Sequence, residues 1–231
     1  MPLRLEIART WERRAREELK VAASFTVLCR ELIEVGAAPS VLGPVARGVQ
    51  DEVRHAEVCR RLAEQYRGAE VAWPQPVVID PAPARDDRML RTAFHAVSMC
   101  CINEAVAATF LETSLDDTSA PSARTVVGEL LADEVEHARV GWTFIATAPA
   151  PIRDAVEANL TKLAQPIIDC WCEVGAVTLI DGAPAHGIPS LATTRRCAFD
   201  AFRDIVVPGF ESVGLDARSL LDATYWATWR P

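Results

Sequence analysis

The chain contains one octad twice, as DEVRHAEV at residues 51–58 and as DEVEHARV at residues 133–140. Six of the eight positions are identical, and the two copies lie 82 residues apart. Each copy carries the motif Glu-x-x-His, which on a helix places both side chains on one face, within reach of a common metal ion. One such motif occurs by chance on many solvated helices. Two copies inside near-identical octads are far more specific, and they predict a metal site built from two related helices.

Length and composition limit the kind of protein this is. With 231 residues the chain can bury a substantial core, and a single domain is favoured over two. The net charge of −8 argues against a nucleic-acid surface. No run of 18 apolar residues is present, and residues 1–20 are densely charged, so we expect neither a membrane span nor a signal peptide. The seven cysteines lack a C-x-x-C pair, which favours reduced thiols in a cytoplasm.

The spacing of apolar residues predicts four helices before residue 148, over residues 10–35, 40–68, 86–116 and 122–147. Gly36 ends the first helix, and Ser40 is the expected N-cap of the second. Residues 69–85 contain four prolines, so we expect an extended connection there. Its 17 residues can reach roughly 55 Å, whereas a helix of about 27 residues is roughly 40 Å long. We therefore predict two helical hairpins and one long crossover, with the third helix parallel to the second.

Residues 1–148 are thus expected to form an all-α four-helix bundle that contains the metal site. The repeat stops near Pro149, and residues 149–231 are expected to be a helical extension packed on the bundle within the same domain. We expect Pro166 to kink or break a helical stretch that reaches residue 180. Two further helical pieces, separated by Pro208 and Gly209, are predicted over residues 190–207 and 216–228. The extension could cover one mouth of the site.

If the octads bind metal, the first helix of each hairpin should add a carboxylate from its core-facing stripe. Glu104 fits best, because the residues three, four and seven positions away from it are apolar or cysteine. Glu18 has a similar stripe, in which only Arg14 is polar, so a rim carboxylate paired with Arg14 is the alternative interpretation. His95 is half a turn out of phase with Glu104 and is not expected to be a ligand. Other acidic candidates fit their stripes less well: Glu17, Glu31 and Glu112.

The predicted ligand set is Glu18, Glu52, His55, Glu104, Glu134 and His137. Its four carboxylates carry a charge of −4, which two divalent cations would neutralise. Without the cations, the crowding of like charges should raise the pKa values of some of these carboxylates. Oxygen-rich ligation with one imidazole for each metal suits iron or manganese better than zinc or copper.

A Glu on one helix and Glu-x-x-His on the next, present twice, resembles the ferritin-like di-iron carboxylate proteins. The letters D-E-x-R-H-A at residues 51–56 are similar to those of bacterioferritin and rubrerythrin relatives. The resemblance covers roughly residues 10–147, and it implies that Glu52 and Glu134 bridge two metals. By the same resemblance the terminal ligands are Glu18, Glu104, His55 and His137. Asp51 and Asp133 match positions at which a carboxylate holds the imidazole of the opposite motif.

The chain also departs from these relatives. Storage cages end with a short fifth helix, whereas here more than 80 residues follow the bundle. The chain has no Cys-x-x-Cys rubredoxin module, which excludes a full rubrerythrin, and Val53 stands where bacterioferritins have a methionine haem ligand.

These observations favour a non-haem oxidoreductase that uses two iron ions, or iron and manganese, with O2 or peroxide as co-substrate. Its expected partners are a small organic substrate and an electron-donor protein, and a homodimer is possible. A ferroxidase or peroxide-scavenging protein without an organic substrate is the second interpretation. Two non-catalytic interpretations stay open: a helical binding module whose carboxylates are relict, and two solvated helix faces that share ancestry.

Overall fold

The computed structural model describes residues 3–75, 87–173, 181–222 and 226, and within these ranges every regular element is a helix. The predicted all-α class is therefore confirmed. The seven longer helices are α1 (Leu3–Glu34), α2 (Pro39–Arg67), α3 (Arg88–Asp117), α4 (Pro121–Thr147), α5 (Ala150–Glu157), α6 (Leu160–Glu173) and α7 (residues 191–212). Two short 3₁₀ turns follow α6 and α7, at Ala183–His186 and Arg218–Leu221.

The first four helices form two hairpins. Connections of four and three residues join α1 to α2 and α3 to α4, so the helices of each pair are antiparallel. Helices α2 and α4 also run in opposite directions, because His55 contacts Asp133 while Asp51 approaches His137. It follows that α3 runs parallel to α2, as the crossover predicts. The connection is described as far as residue 75 and is not helical there, and residues 76–86 lie outside the described part.

Helix α3 is long, apolar and irregular in its middle. The side chain of Asp87 accepts a hydrogen bond from the Leu90 N–H at 3.0 Å and caps its start. The segment Val97–Asn103 is π-helical and ends directly before Glu104. By length and composition α3 could cross a membrane, but most of its apolar window is buried inside the bundle, which is compatible with a soluble protein.

The starts of α1 and α2 differ from the predictions. Helix α1 begins at Leu3 rather than near residue 10, because Ile7 and Trp11 continue its buried stripe towards the N-terminus. Helix α2 begins at Pro39, so Ser40 lies inside the helix and is not its N-cap. A proline at the first helical position has no N–H group that a cap would need to satisfy.

The break in the first part of the extension is not at Pro166. Helix α5 ends at Glu157 and α6 starts at Leu160. In the turn between them, the side-chain amide of Asn159 donates to the backbone carbonyl of Ala155 at 2.8 Å. Pro166 lies inside α6, which continues to Glu173. The predicted continuation to residue 180 falls on residues 174–180, outside the described part.

Residues 191–212 form one helix, so the predicted separation at Pro208 and Gly209 is wrong. A π-helical turn, Phe202–Val206, precedes the proline, and the wide turn accommodates a residue that has no N–H to donate. Gly209 is a packing position, because a Cβ there would lie 2.7 Å from the Trp142 ring. Of the predicted piece 216–228, residues 218–221 form a 3₁₀ turn and most of the remainder lies outside the described part.

The extension shares a hydrophobic core with the bundle. One continuous cluster of buried side chains joins Phe25 and Ile102 of the bundle to Phe202 and Phe210 of α7. Helix α6 packs against the π-helical segment of α3, where the Trp171 indole N–H donates to the Asn103 side chain at 3.0 Å. The extension is therefore fixed against the helix that carries Glu104.

Candidate metal centre

The six predicted ligands converge from four helices onto one interior position. Helices α2 and α4 each contribute a Glu-x-x-His pair, and α1 and α3 each contribute one glutamate. Five of the six are almost completely buried, with exposed fractions between 0 and 3%. These five are Glu52, His55, Glu104, Glu134 and His137. Glu18 is only half-buried, so the cluster can be approached from its side.

The ligand atoms fall into two overlapping groups. The first consists of Glu18, Glu52, His55 and Glu134, and the second of Glu52, Glu104, Glu134 and His137. Within each group, every residue offers one nitrogen or oxygen, and these atoms all lie within 4.8 Å of one another. Glu52 and Glu134 belong to both groups. Each group could hold a metal ion, and two such ions would share these two carboxylates, with one histidine in each group.

Both imidazoles turn their Nδ1 atoms towards the carboxylates. His137 Nδ1 lies 3.0 Å from Glu52 Oε1 and 3.2 Å from Glu134 Oε2. His55 Nδ1 lies 3.5 Å from Glu52 Oε2 and 3.7 Å from Glu134 Oε1. The two shared carboxylates are thus placed between the two rings, whose centroids are 6.0 Å apart.

The opposite ring nitrogens face aspartates of the other octad. His55 Nε2 is 3.0 Å from Asp133 Oδ2, and His137 Nε2 is 3.6 Å from Asp51 Oδ2. A carboxylate at Nε2 keeps the proton there and leaves Nδ1 free to bind a metal. The crossed pairing matches the arrangement that the sequence predicts for Asp51 and Asp133, although only the His55 pair is within hydrogen-bond distance.

Arg54 clamps the two aspartates from the surface side, a role the sequence analysis missed. Its guanidinium lies 2.6 Å from Asp133 and 3.3 Å from Asp51, and it also pairs with Glu129. The two octads differ at this position, where the second has Glu136. In the sequence, this difference is the only sign that Arg54 has a role of its own.

Several buried polar atoms of the cluster have no hydrogen-bond partner among the residues that the structure describes. They are both carboxylate oxygens of Glu52, one oxygen of Glu104, His55 Nδ1 and His137 Nε2. An unsatisfied buried polar atom is costly, and few such atoms occur in a native structure without a reason. Most of these atoms face the centre of the cluster, where a cation would satisfy them. The residues present therefore fit a dinuclear metal site.

The electrostatics of the cluster agree with the predicted crowding of negative charge. Burial, reinforced by the charge of Glu52, raises the pKa of Glu18 from 4.5 to about 8. Burial and the same neighbour raise the pKa of Glu134 to about 7. The pKa of Glu104 is raised well above its ordinary value by burial and by the charge of Glu134. Against the effect of burial, the neighbouring imidazoles of His137 and His55 hold the pKa of Glu52 below 4.5.

Glu104 is positioned by a close contact between α3 and α4. At Gly141 of α4, a Cβ would lie 2.6 Å from Cys101 Sγ and 2.9 Å from the carbonyl oxygen of Ala96. Only glycine allows this approach. The π-helical segment Val97–Asn103 packs there and widens the turn immediately before Glu104.

A cavity of about 560 Å³ opens beside the cluster. Glu18, Glu104 and Glu134 form part of its wall, so it reaches both groups of ligand atoms. Much of the remaining wall is apolar and comes from α1, α3, α6 and the segment that leads into α7. Residues of the extension therefore line one side of the cavity.

His95 lies outside the cluster, as its phase predicts, and belongs to a separate chain of hydrogen bonds. Its Nε2 is 3.0 Å from Ser24 Oγ, and its Nδ1 is 2.8 Å from Glu31 Oε2. Arg91 donates to the other oxygen of Glu31 at 3.0 Å. Glu31 is therefore a buried carboxylate satisfied by His95 and Arg91, and it is not part of the metal cluster. Ser24 and His95 line the same cavity as Glu18.

Comparison with known proteins adds no relative to this description. No known family, no curated protein and no solved structure matches the chain.

Proposed function

We propose that the protein is a ferritin-like di-iron oxidoreductase, with iron and manganese as the alternative metal pair. In this proposal it uses O2 or peroxide to oxidise or oxygenate a small organic substrate. The observation that carries the proposal is the pair of overlapping ligand groups that share Glu52 and Glu134. A solvated helix face would not bury three carboxylates and two imidazoles around one position.

The donor set supports iron or manganese. Each group offers three carboxylate oxygens and one imidazole nitrogen, and such oxygen-rich sets suit iron and manganese better than softer metals. Two divalent cations would balance the four carboxylates. When bound, a pair of iron ions supplies the redox chemistry that no protein side chain provides.

The residues of the chain have three tasks in this proposal. Glu52 and Glu134 hold the two ions together, and His55 and His137 hold one ion each through Nδ1. Asp133 keeps the Nε2 proton of His55 in place. The apolar wall of the cavity excludes water and leaves room for a substrate beside Glu18 and Glu104.

The cavity favours an enzyme with an organic substrate over a ferroxidase. Small-molecule sites have volumes of about 300–1,000 Å³ and mostly apolar walls, and the cavity of about 560 Å³ has both properties. Oxidation of iron alone needs no such space. A ferroxidase or peroxide-scavenging protein remains the second candidate, because it would use the same ligands.

Metal loading and oxygen consumption test the proposal. The full chain is loaded with Fe(II) without oxygen, its iron content is measured, and a single turnover with O2 is followed. We expect two iron ions per chain in the wild type and less than one in Glu104→Ala, which removes a buried ligand. Glu112→Ala removes an exposed carboxylate from the same helix and should behave like the wild type, as should His95→Ala.

Equal iron content in Glu104→Ala and Glu112→Ala would contradict the ligand assignment. Iron content near zero in the wild type would contradict both enzyme proposals and favour a non-catalytic helical module. Oxygen consumption that is unaffected by any organic compound would favour the ferroxidase.

A further inference from the structure

The floor of the cavity is one face of α1. Arg14, Glu18, Val21 and Ser24 recur at steps of four, three and three residues, and all four line the cavity. The ten residue-to-residue steps from Arg14 to Ser24 correspond to about 15 Å along a helix axis. The floor therefore begins at the guanidinium of Arg14, passes the proposed metal ligand Glu18, and ends at the hydroxyl group of Ser24, which contacts His95.

The walls above this floor are apolar. The side chains that face the floor include Met99, Phe110, Leu111, Ile167, Trp171 and Ile188. A ligand in this cavity gains most of its binding free energy by burying apolar surface. Its body should therefore be a hydrocarbon chain or ring.

Arg14 lines the cavity and has one guanidinium nitrogen that finds no acceptor in the described part of the chain, although its charge also acts on Glu18. Its guanidinium is placed between two aromatic rings, 4.7 Å from the centroid of Trp11 and 5.1 Å from that of Phe110. Its Nη1 atom is buried and has no hydrogen-bond partner among the described residues. The nearby carboxylate of Glu17 is engaged by Lys20 at 2.8 Å. A buried guanidinium nitrogen without an acceptor is costly unless a ligand supplies the acceptor.

We propose that the cavity binds an amphipathic monocarboxylate, with its carboxylate on Arg14 and its apolar body between α1, α3 and α6. The proposal deepens the proposed function, because this ligand would be the substrate that lies beside Glu18. A carboxylate is favoured over a phosphate because one guanidinium balances one negative charge. The two rings beside Arg14 offer no further donor for a dianion, since the Trp11 indole N–H already donates to the His186 carbonyl and Phe110 has no donor. The bound metal ions neutralise Glu18, Glu104 and Glu134, so these carboxylates do not repel the ligand.

Binding of simple probes to the Mn(II)-loaded full chain tests the proposal. Octanoate, octan-1-ol and octylamine are titrated without oxygen at neutral pH, with the heat of binding as the readout. A charge-assisted hydrogen bond to Arg14 should make octanoate bind about ten-fold or more tightly than octan-1-ol. Octylamine should bind most weakly. If the wild type binds octanoate no more tightly than octan-1-ol, the proposal is overturned, and no variant is needed to reach that conclusion.

Arg14→Met provides the matched test, because it keeps the length of the side chain and removes the charge. We expect it to weaken octanoate binding about ten-fold and to leave octan-1-ol binding unchanged. Arg13→Met, which removes the exposed neighbouring charge at the cavity mouth, should change neither by more than about three-fold. Equal effects of the two variants on octanoate would overturn the role of Arg14.

The manganese content of each sample separates this proposal from the proposed function. Two manganese ions per chain without a preference for octanoate would reject the substrate class and leave the metal site standing. Absence of bound manganese from the wild type would reject the proposed function itself. The preference for octanoate over octan-1-ol would still test whether Arg14 binds a carboxylate.

Discussion

At the scale of single residues, the two histidines are oriented by aspartates that belong to the other octad. Asp133 is 3.0 Å from His55 Nε2, whereas Asp51 is 3.6 Å from His137 Nε2. Arg54 also holds Asp133 more tightly than Asp51, at 2.6 Å against 3.3 Å. The two halves of the repeat are therefore not equivalent, and the His55 side is the better organised.

This asymmetry predicts unequal effects of two matched substitutions. Asp133→Asn replaces an acceptor that holds the His55 proton and should weaken metal binding about 10- to 100-fold. Asp51→Asn should have a smaller effect, because its distance to His137 is too long for a hydrogen bond. Competition with a metal chelator measures both affinities. A larger loss in Asp51→Asn than in Asp133→Asn would contradict the account of the imidazole orientation.

At this scale the repeat and the apolar stripes were sufficient to identify the ligands that the structure brings together. Glu104 could be found because every neighbour on its face is apolar, and it proves to be 1% exposed. Arg14 and Arg54 were missed as functional groups, because their roles depend on contacts between helices. From the sequence, Arg14 enters only through the alternative interpretation, an ion pair with Glu18, whereas in the structure its guanidinium also contacts two rings, one of which belongs to α3. Sequence spacing along one helix carries no information about such a neighbour.

At the scale of secondary-structure elements, the contact between α3 and α4 determines where Glu104 stands. The π-helical segment Val97–Asn103 changes the rotation of α3 just before this residue. Gly141 lets α4 approach it so closely that a Cβ would contact the Ala96 carbonyl and the Cys101 sulfur. The Ala96 backbone and the buried Cys101 side chain cannot easily move away to make room for a Cβ at residue 141.

Gly141→Ala should therefore destabilise the protein. Overpacking of this kind costs about 1–3 kcal/mol, and each kcal/mol lowers the melting temperature of a chain of this size by about 2–4 °C. Gly128→Ala in the same helix is the control, because its Cβ would meet only Leu115 Cδ1 at 4.0 Å. It should be neutral or slightly stabilising, since alanine is the better helix former. Thermal unfolding measures the melting temperatures of the two variants. Similar melting temperatures would contradict the close packing of α3 and α4.

The hairpins could be predicted because their apolar periodicity is regular and their turns contain glycine or proline. The irregular turns could not, because a π-helical turn has no strong signature in the residues that form it. The same difficulty explains the error at Pro208, which follows the π-helical turn Phe202–Val206 and is accommodated by it. Pro166 likewise lies inside a helix that it was expected to kink or break, and it does not break it. In both places tertiary packing against the bundle outweighs the local preference of proline.

At the scale of the whole molecule, the buried cluster couples stability to pH and to metal. In the metal-free chain the pKa values of Glu18, Glu104 and Glu134 are raised, so the folded state binds more protons than the unfolded state above pH 4.5. Stability should then fall as the pH rises towards 8. His137 acts in the same direction above pH 6.5, because burial is outweighed by Glu134 and Glu52, which raise its pKa to about 11.

The melting temperature of the metal-free chain should therefore decrease between pH 5.5 and pH 8.5. Bound Mn(II) neutralises the cluster, so the gain in melting temperature on adding Mn(II) should be larger at pH 8 than at pH 6. Metal-free Glu104→Gln, which removes one of the titrating carboxyls, should show a weaker decrease. A pH-independent gain would mean that the carboxyl groups of the cluster are not the ones that bind the metal.

The C-terminal extension, residues 149–231, contributes to the cavity through its packing on the bundle. The sequence predicted that residues 149–231 pack on the bundle and could cover the site, and the structure places α6 and the start of α7 at the cavity wall. The contacts that create the cavity could not be predicted, because they join segments more than 60 residues apart, such as Trp171 and Asn103.

The central claim is that two metal ions share Glu52 and Glu134, and a Mn(II) titration followed by electron paramagnetic resonance tests it most directly. The account predicts two manganese ions per chain and, at saturation, the spectrum of two magnetically coupled ions. The coupling should be lost in Glu134→Ala, which removes one shared carboxylate, and kept in Glu136→Ala, an exposed carboxylate two positions along the same helix. A single uncoupled ion per chain, or no bound manganese at all, would contradict the account.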